Sequence, residues 1–552
     1  MNQKSWWQKT TVYQIYPRSF SDSTGNGIGD LRGIINRLDY LEDLGTETVW
    51  FSPFFVSPQQ DFGYDIKDFR NIDPQYGTMN DFEELLNKIH NKGMKMILDM
   101  VLNHTSSQHP WFIESASSKD SPKRDWYIWV DGKKSNGKAP PNNWKSMTGG
   151  SAWKYYDNTD QWVYFHFLPF QPDLNYRNPE VKQEMLNTMR FWLDKGVDGF
   201  RLDILHAIYE DPDLKDNPFS WSLLAGDQST SSFFQKHKFD LNLPETQDFA
   251  KELRSVIDEY EPERFLVGEV FGKIEELKKY YGFMNNGLNM VFLFEFTSTK
   301  FNAKAFRKII RRIENYLPFP YTPTYVFSNH DRMRLISRLR EDFQKVKLLA
   351  TLQLTLRGVP FIYYGEEIGI PNVKIKLKNS KDPIGQKFSW IPFSQLKFLG
   401  FSLSRDGCRT PMQWNNKKNA GFSNDIKAES WVPVSETYKT RNVENEQDDP
   451  HSLLNCYKLL LKIRNNNPVL HEGKLELIDL KNLNDKILSY KRNISNEELI
   501  IFLNFSNKKI KYHTEISNPE LVFSTKTLEN KIRYKTSNIV LEAYEAIIIK
   551  PH

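Results

Sequence analysis

The chain repeats one pattern: a short run of apolar residues, a polar turn, then a longer segment whose apolar positions recur at helical spacing. Eight runs predict strands: Val12–Tyr16, Thr48–Phe51, Lys95–Val101, Gly199–Ile204, Phe265–Val270, Met290–Phe296, Tyr325–Ser328 and Pro360–Tyr364. Most are dense in Val, Ile, Leu and Phe without alternation, as strands covered on both faces are. Helical spacing fills Leu31–Leu44, Asp81–Asn91 and Pro179–Lys195. These stop at Gly45, near Gly93 and at Gly196, where glycine supplies the left-handed residue that a helix end favours. Strand–helix alternation repeated eight times predicts an α/β fold, a (β/α)₈ TIM barrel, with an open doubly wound sheet as the fallback.

Two segments interrupt the rhythm. Residues 104–172 are rich in Trp, Tyr, Gly, Pro and Lys and lack a helical period. They fall between the third and fourth strands and predict a small inserted domain. An irregular stretch, about 370–450, follows the eighth strand. Both leave from the face where a barrel builds its pocket. After a helix at Ser452–Asn465, the runs Lys474–Asp479, Ile487–Tyr490, Leu499–Leu503 and Ile539–Lys550 predict a C-terminal antiparallel β-sandwich domain. The expected organisation is a barrel in two parts, 1–103 and 173–472, with the inserted domain at 104–172 and the β domain at 473–552.

Composition narrows the classes. At 552 residues, 39% apolar and 14% aromatic, the chain can bury large cores and has aromatic surface to spare for sugar faces. The net charge of +5 comes without a block of like charge, so nucleic acid is not an expected partner. MNQKSWWQKT has no apolar core of a secretory signal, and no stretch approaches the ~18 apolar residues of a membrane span. Two cysteines, Cys408 and Cys456, make no disulfide framework. The expectation is a cytoplasmic protein with no membrane partner.

Four acids stand at predicted strand ends: Asp99, Asp203, Glu269 and Asp331. Strand ends of a barrel converge on one face, and convergent carboxylates are what glycosidic cleavage needs. Arg201 lies two residues before Asp203, on the same strand face, and would hold that acid ionised as a nucleophile requires. Glu269 follows a glycine that lets substrate approach. Apolar neighbours such as Phe265 and Val270 favour its protonated form, which suits a proton donor. Asp331 follows Asn329 and His330, whose side chains can bind sugar hydroxyls. Asp99, with His104 just beyond it, is expected to orient its neighbours. A lone acid is ordinarily a solvated or ion-paired group; four in strand-end register, three beside a basic residue or histidine, indicate a site.

The segment DSTGNGIGD offers a second constellation. Asp22, Thr24, Asn26, the Ile28 carbonyl and Asp30 fall at alternate positions, with Gly27 at the turn. This is the oxygen spacing of the first part of an EF-hand loop, although Gly33 stands where the twelfth-position Glu would be. The alternative is a Gly-rich turn into a helix capped by Asp30. His90, His109 and His237 have no ligand spacing, and Trp126, Trp129, Trp144 and Trp153 are expected mainly to pack. Phe167 is the better candidate for a pocket wall.

The blocks DMVLNH, GFRLD, GE and NHD resemble, in order and spacing, the four signature regions of the α-amylase family, glycoside hydrolase family 13. QPDLN at Gln171–Asn175 resembles a fifth region typical of oligo-1,6-glucosidases and their α-glucosidase relatives. VYQIYPRSF, DFGYDI and RTPMQW are similar to the same subgroup. The resemblance implies Asp203 as nucleophile, Glu269 as acid/base and Asp331 as transition-state stabiliser. It implies Asp61, Tyr64, His104, Arg201 and His330 around the first glucose, and Arg405 pairing with the Asp61 region. It also implies one structural Ca²⁺ in the Asp22–Asp30 loop and no organic cofactor. The expected activity is a retaining, exo-acting α-glucosidase on short α-glucosides, in a monomer or homodimer. The alternatives are a transglycosylase or sucrose isomerase on the same scaffold and a non-catalytic homologue. Ile204, after the nucleophile, is the position at which the subgroup's bulky aliphatics go with α-1,6 linkages.

Overall fold

The computed structural model describes residues 5–133, 137–223, 226, 228–390, 395–396, 401–513, 516, 519–527 and 538–551. Short parts of the inserted segment, of the stretch after the eighth strand and of the C-terminal tail lie outside these. Eight parallel strands form the central sheet of a TIM barrel: β1 Val12–Ile15, β2 Thr48–Phe51, β3 Lys95–Met100, β4 Gly199–Leu202, β5 Phe265–Gly268, β6 Met290–Val291, β7 Thr324–Val326 and β8 Val359–Tyr363. Their order is β6-β5-β4-β3-β2-β1-β8-β7. The chain divides into two compact units, residues 50–90 with 95–292, and residues 1–49 with 91–94 and 293–552.

In the unit of residues 50–292, β4 and β5 are buried along their whole length. β3 pairs with β4 in the register Asp99↔Arg201, and β5 pairs with β4 as Val267↔Arg201. The helix Met79–Asn91 buries Phe82, Leu85, Leu86 and Ile89, one stripe at helical spacing. The helix Pro179–Asp194 starts at Asn178, whose side chain accepts from the Glu180 N–H, with Pro179 in the first turn. Gly196 follows with φ +100°. The inserted segment holds three short antiparallel strands, Trp129–Val130, Trp153–Tyr156 and Gln161–Tyr164. Its core is Trp144, Ala152, Trp153 and Tyr164; with Trp126 also buried, its tryptophans mostly pack, as expected.

In the other unit, β1 pairs with β8 and β8 with β7. The helix Phe343–Thr355 is buried from Val346 to Thr355. Two buried arginines cover its end: Arg464 donates to the Leu354 and Gly358 carbonyls (3.0 and 2.7 Å), and Arg492 to the Thr355 carbonyl (2.6 Å). The C-terminal region is antiparallel. A five-stranded sheet and the pair Ile510–His513/Asn538–Leu541 share one apolar core that includes Ile500, Phe502, Ile539 and Ile549. Among the described residues no helix is long and apolar enough to cross a membrane.

Two expectations need correction. The run Met290–Phe296 is not one strand: β6 ends at Val291, and Phe294–Thr297 forms a 3₁₀ turn. Continuous apolarity signals burial without fixing the backbone. There the Leu293 N–H donates to the Thr324 side chain (3.0 Å) instead of a strand carbonyl. The segment Leu31–Leu44 is two helices, Leu31–Ile35 and Leu38–Leu44, broken at Asn36–Arg37. Gly33 lets the first helix press against the preceding loop: a Cβ there would lie 2.0 Å from the Ser21 carbonyl oxygen.

Candidate active site

Arg201 organises the acids of the first unit. The β3–β4 register sets Asp99 opposite it, and strand alternation puts Asp203 on its face. Its Nη1 donates to Asp99 Oδ1 (2.8 Å) and Asp203 Oδ1 (2.5 Å), and its Nη2 to Glu269 Oε2. All four groups are buried. Backbone bonds continue the ladders past the strand ends and fix both outer acids: the Asp203 N–H donates to the Met100 carbonyl (3.0 Å), and the Glu269 N–H to that of Leu202 (2.9 Å). Burial works against the Arg201 charge, yet Asp99, Glu269 and Asp203 hold the guanidinium protonated well above its ordinary range. One cation cannot balance three carboxylates. Burial, reinforced by the Glu269 charge, pushes Asp99 up to about 6 against the pull of Arg201 and the Tyr64 hydroxyl.

The neighbouring side chains are held in turn. Tyr64 donates its hydroxyl to Asp99 Oδ2 (2.9 Å). His104 Nε2 donates to the Tyr64 carbonyl oxygen (3.1 Å); burial lowers its imidazole to about 4, so it is neutral. Asp61 accepts from Gln171 Nε2 (3.2 Å), the first residue of QPDLN. Asn103, just before His104, donates to Asp173 Oδ2 and to the Ala207 carbonyl. Phe167 is half-buried, and its carbonyl accepts from the Ser146 and Thr148 hydroxyls. Ile204, next to Asp203, has φ +32° and ψ +42°, a left-handed conformation that a β-branched residue adopts only at a cost of about 1–3 kcal/mol. Strain at this position marks a backbone held by its surroundings.

A second cluster forms in the other unit. Asp331 Oδ1 accepts from Arg409 Nη2 (2.8 Å) and lies 3.5 Å from Arg405 Nη1. His330 Nε2 lies 3.3 Å from Asp331 Oδ2. Gln14 Nε2 donates to His330 Nδ1 (2.8 Å), and the Tyr16 ring stacks on the imidazole. Burial opposes the Asp331 charge, but His330, Arg405, Arg409 and Arg332 hold it well below the usual carboxylate range. Arg405 makes a bidentate pair with the buried Asp382, at 2.8 and 3.1 Å.

The structure places the expected Asp203, Glu269, Arg201, Tyr64 and His104 in the first cluster and Asp331 and His330 in the second, and it adds Asp382, Gln14 and Arg409, which the sequence did not single out. Arg409 opens the RTPMQW block, which was one available signal. Asp382 is the sole acid between Pro371 and Arg405, which was another. His237, given no role from sequence, accepts from the Ser232 hydroxyl at Nε2 (2.9 Å) and donates from Nδ1 to Asp240 (2.8 Å). The order imitates a hydrolase triad, but the Ser232 side chain is fully buried, so this relay is structural.

In the Asp22–Asp30 loop, Asp22 accepts from the Thr24, Gly25 and Gly27 N–H groups. Asp30 accepts from the Ser23 and Gly33 N–H groups and the Ser23 hydroxyl. Asn26 Oδ1 accepts from the Ile28 N–H (2.8 Å). Gly27 has φ +84°, and a Cβ there would meet the Glu429 carbonyl oxygen at 1.9 Å.

Residues 14–473 match the Alpha-amylase family, by its alpha amylase catalytic domain. The chain is 38% identical over 510 residues to a "Probable alpha-glucosidase" of Rhizobium meliloti (strain 1021), covering 90% of this chain and 88% of that one. It is 38% identical over 525 residues to an "Oligo-1,6-glucosidase" of Parageobacillus thermoglucosidasius, covering 90% of each. Among solved structures, the alpha-glucosyl transfer enzyme XgtA superposes with a TM-score of 0.88 at 33% identity, over 100% of both chains. The isomaltulose synthase PalI from Klebsiella sp. LX3 superposes at 0.87 and 31% identity, also over 100% of both.

Proposed function

We propose that this chain, which belongs to the α-amylase family of glycoside hydrolases, is a retaining, exo-acting α-glucosidase for disaccharides and short oligosaccharides. The observation that carries the reading is one guanidinium gripping both Asp203 and Glu269. A shared cation favours the short separation of double displacement, ~5–5.5 Å between carboxyl groups, over the gap that an inverting enzyme leaves for water. In this reading Asp203 attacks the anomeric carbon as the glycosidic bond breaks, and Glu269 gives its proton to the leaving oxygen. Water then displaces Asp203 while Glu269 takes the proton back. Asp331 serves as stabiliser, and Asp61, Tyr64, His104, Phe167, Arg201, His330 and Arg405 as sugar contacts. Glucose released as the α-anomer from maltose, isomaltose, sucrose or trehalose, followed by NMR in the first turnovers, supports the proposal. First-formed β-glucose overturns the retaining mechanism, and no turnover of any of these sugars overturns the hydrolase.

A second reading has an observation of its own: the alpha-glucosyl transfer and isomaltulose-forming enzymes that superpose over the whole chain. The same covalent intermediate passes to a sugar acceptor instead of water. Product analysis on sucrose separates the two, since an isomerase returns isomeric disaccharide in place of equal glucose and fructose.

Linkage preference rests on Ile204. Ile204→Thr is expected to raise the maltose-to-isomaltose ratio of kcat/KM by about tenfold, the scale of one apolar contact in a specificity pocket. An unchanged ratio sinks Ile204 as the determinant.

The Asp22–Asp30 loop fits a hard cation in its chemistry: two carboxylates, an amide oxygen, a hydroxyl and a carbonyl. Its acids already serve backbone N–H groups, so a metal would add to a formed turn. Asp22, Thr24, Asn26, Asp30 and the Ile28 carbonyl would hold Ca²⁺, which would brace the loop without entering the chemistry. At ~100 Kd of free Ca²⁺, binding contributes about 2.7 kcal/mol, and EDTA should lower the melting temperature reversibly. An EDTA-insensitive melt removes the metal from the proposal. A cytoplasmic location belongs to this reading as well, since both cysteines are buried and free.

A further inference from the structure

From Pro371 to Arg405 the chain carries six lysines and one arginine against one acid, and that acid, Asp382, is committed to Arg405. Four of the lysines, Lys374, Lys376, Lys378 and Lys381, line one cavity of about 450 Å³. All four are exposed, and none is in an ion pair among the described residues. Four like charges around one cavity repel each other, and an anion in their midst removes that cost.

The cavity is also shaped. Asp406 lies on its lining but is fully buried. Its carboxylate is occupied by the Ser380 hydroxyl (2.8 Å) and the Lys381 and Asp382 N–H groups (2.8 and 3.1 Å), so it braces the wall that carries the lysines. Trp431 also borders the cavity; it is buried, with Arg18 over its ring, and is fixed by its indole N–H on the Ser19 hydroxyl (2.8 Å). The volume falls within the roughly 300–1,000 Å³ of small-molecule sites. Lysines bind phosphate as point charges, and the volume admits a sugar of mono- or disaccharide size.

We propose that this cavity binds the phosphate of a phosphorylated sugar of mono- or disaccharide size. Its lining residue Asp406 directly follows Arg405, which faces Asp331. The phosphate has two sources: a phosphorylated α-glucoside held as substrate, or a free hexose phosphate acting as effector. Binding is measured without turnover, so its failure is distinct from failure of the reaction proposed above, on which only the substrate arm rests.

The test is calorimetric titration of the full chain and of the triple variant Lys374→Gln/Lys376→Gln/Lys378→Gln with glucose 6-phosphate, inorganic phosphate and glucose. These are surface residues outside the catalytic machinery, so the variant should keep the wild-type melting temperature and activity on p-nitrophenyl α-glucoside. Glucose 6-phosphate should bind the wild type and bind the variant at least about tenfold more weakly, a loss of one decade in Kd. Glucose should not distinguish the two proteins. If kcat/KM for a phosphorylated α-glucoside falls with the variant, the phosphate belongs to the substrate. If glucose 6-phosphate instead changes the turnover of neutral sugars only in the wild type, it is an effector. Equal binding by both proteins, no binding of glucose 6-phosphate, or binding only of a polyanion such as heparin overturns the assignment. Inorganic phosphate binding as tightly as glucose 6-phosphate overturns the sugar part of it.

Discussion

Asp203→Asn is expected to cut glucose release by about 10⁴–10⁶-fold, the range seen when a member of a catalytic constellation that works as a unit is removed. The amide keeps the size of the carboxylate and can still accept from Arg201 through its carbonyl oxygen. What it loses is the charge that, in the proposed reaction, attacks the anomeric carbon. The fold should survive, because the Asp203 N–H bond to the Met100 carbonyl does not depend on the side chain. Glu269→Gln is expected to cost less, about 10²–10⁴-fold, and its cost should depend on the leaving group: p-nitrophenol departs without a proton, whereas the glucose of maltose needs one. Azide separates the roles further. With Asp203→Gly it should give the β-glucosyl azide by a single displacement, and with Glu269→Gln the α-glucosyl azide by trapping the glucosyl-enzyme. Activity of Asp203→Asn within ~tenfold of wild type would remove Asp203 as nucleophile, and interchanged azide products would exchange the two assignments.

Local periodicity made much of this fold legible, and the rest was hidden for identifiable reasons. Phe265–Gly268 could be read as a strand because burial on both faces demands an unbroken apolar run, and Gly45 and Gly196 could be read as helix ends because only a left-handed residue closes the turn there. The same logic failed at Phe292–Phe296, where an equally apolar run turns into 3₁₀ structure. The acids were legible through their place at strand ends. Their partners were less so: Arg201 was near enough in sequence to Asp203 to be recognised, but the Asp99↔Arg201 register depends on pairing across about a hundred residues. Arg409–Asp331 and Arg405–Asp382 likewise join distant segments. The left-handed turn at Ile204 was illegible for the opposite reason, since a β-branched residue argues against the conformation it holds. Surroundings that override a local preference at the residue after Asp203 are what a functional site would be expected to impose.

Arg201→Met should be the most damaging single change to stability. The thioether chain fills much of the volume of the guanidinium stem but leaves Asp99, Asp203 and Glu269 buried without a cation. Removing one partner of a buried ion pair costs about 3–5 kcal/mol, and here one removal strands three acids. The loss should depend on pH with a defined sign. In the wild type Asp99 is already raised to about 6 by burial, against an ordinary value near ~3.9 in the unfolded chain. The folded state therefore binds the extra proton in that window, and the contribution of Asp99 to stability is full below pH ~4 and lost as pH rises to about 6. Without Arg201 the same imbalance extends to the other two acids, so the variant should lose more stability at pH 8 than at pH 5. Arg201→Lys should rescue little, because one ammonium cannot span the three acids that the guanidinium holds. Asp99→Asn added to Arg201→Met removes one stranded charge and should restore part of the melting temperature without restoring turnover. Thermal melts of the four proteins at pH 5 and 8 check this directly. A variant that melts equally at both pH values, or a double variant no more stable than Arg201→Met, would show that the acids are not in charge balance with Arg201 and that its role is packing alone.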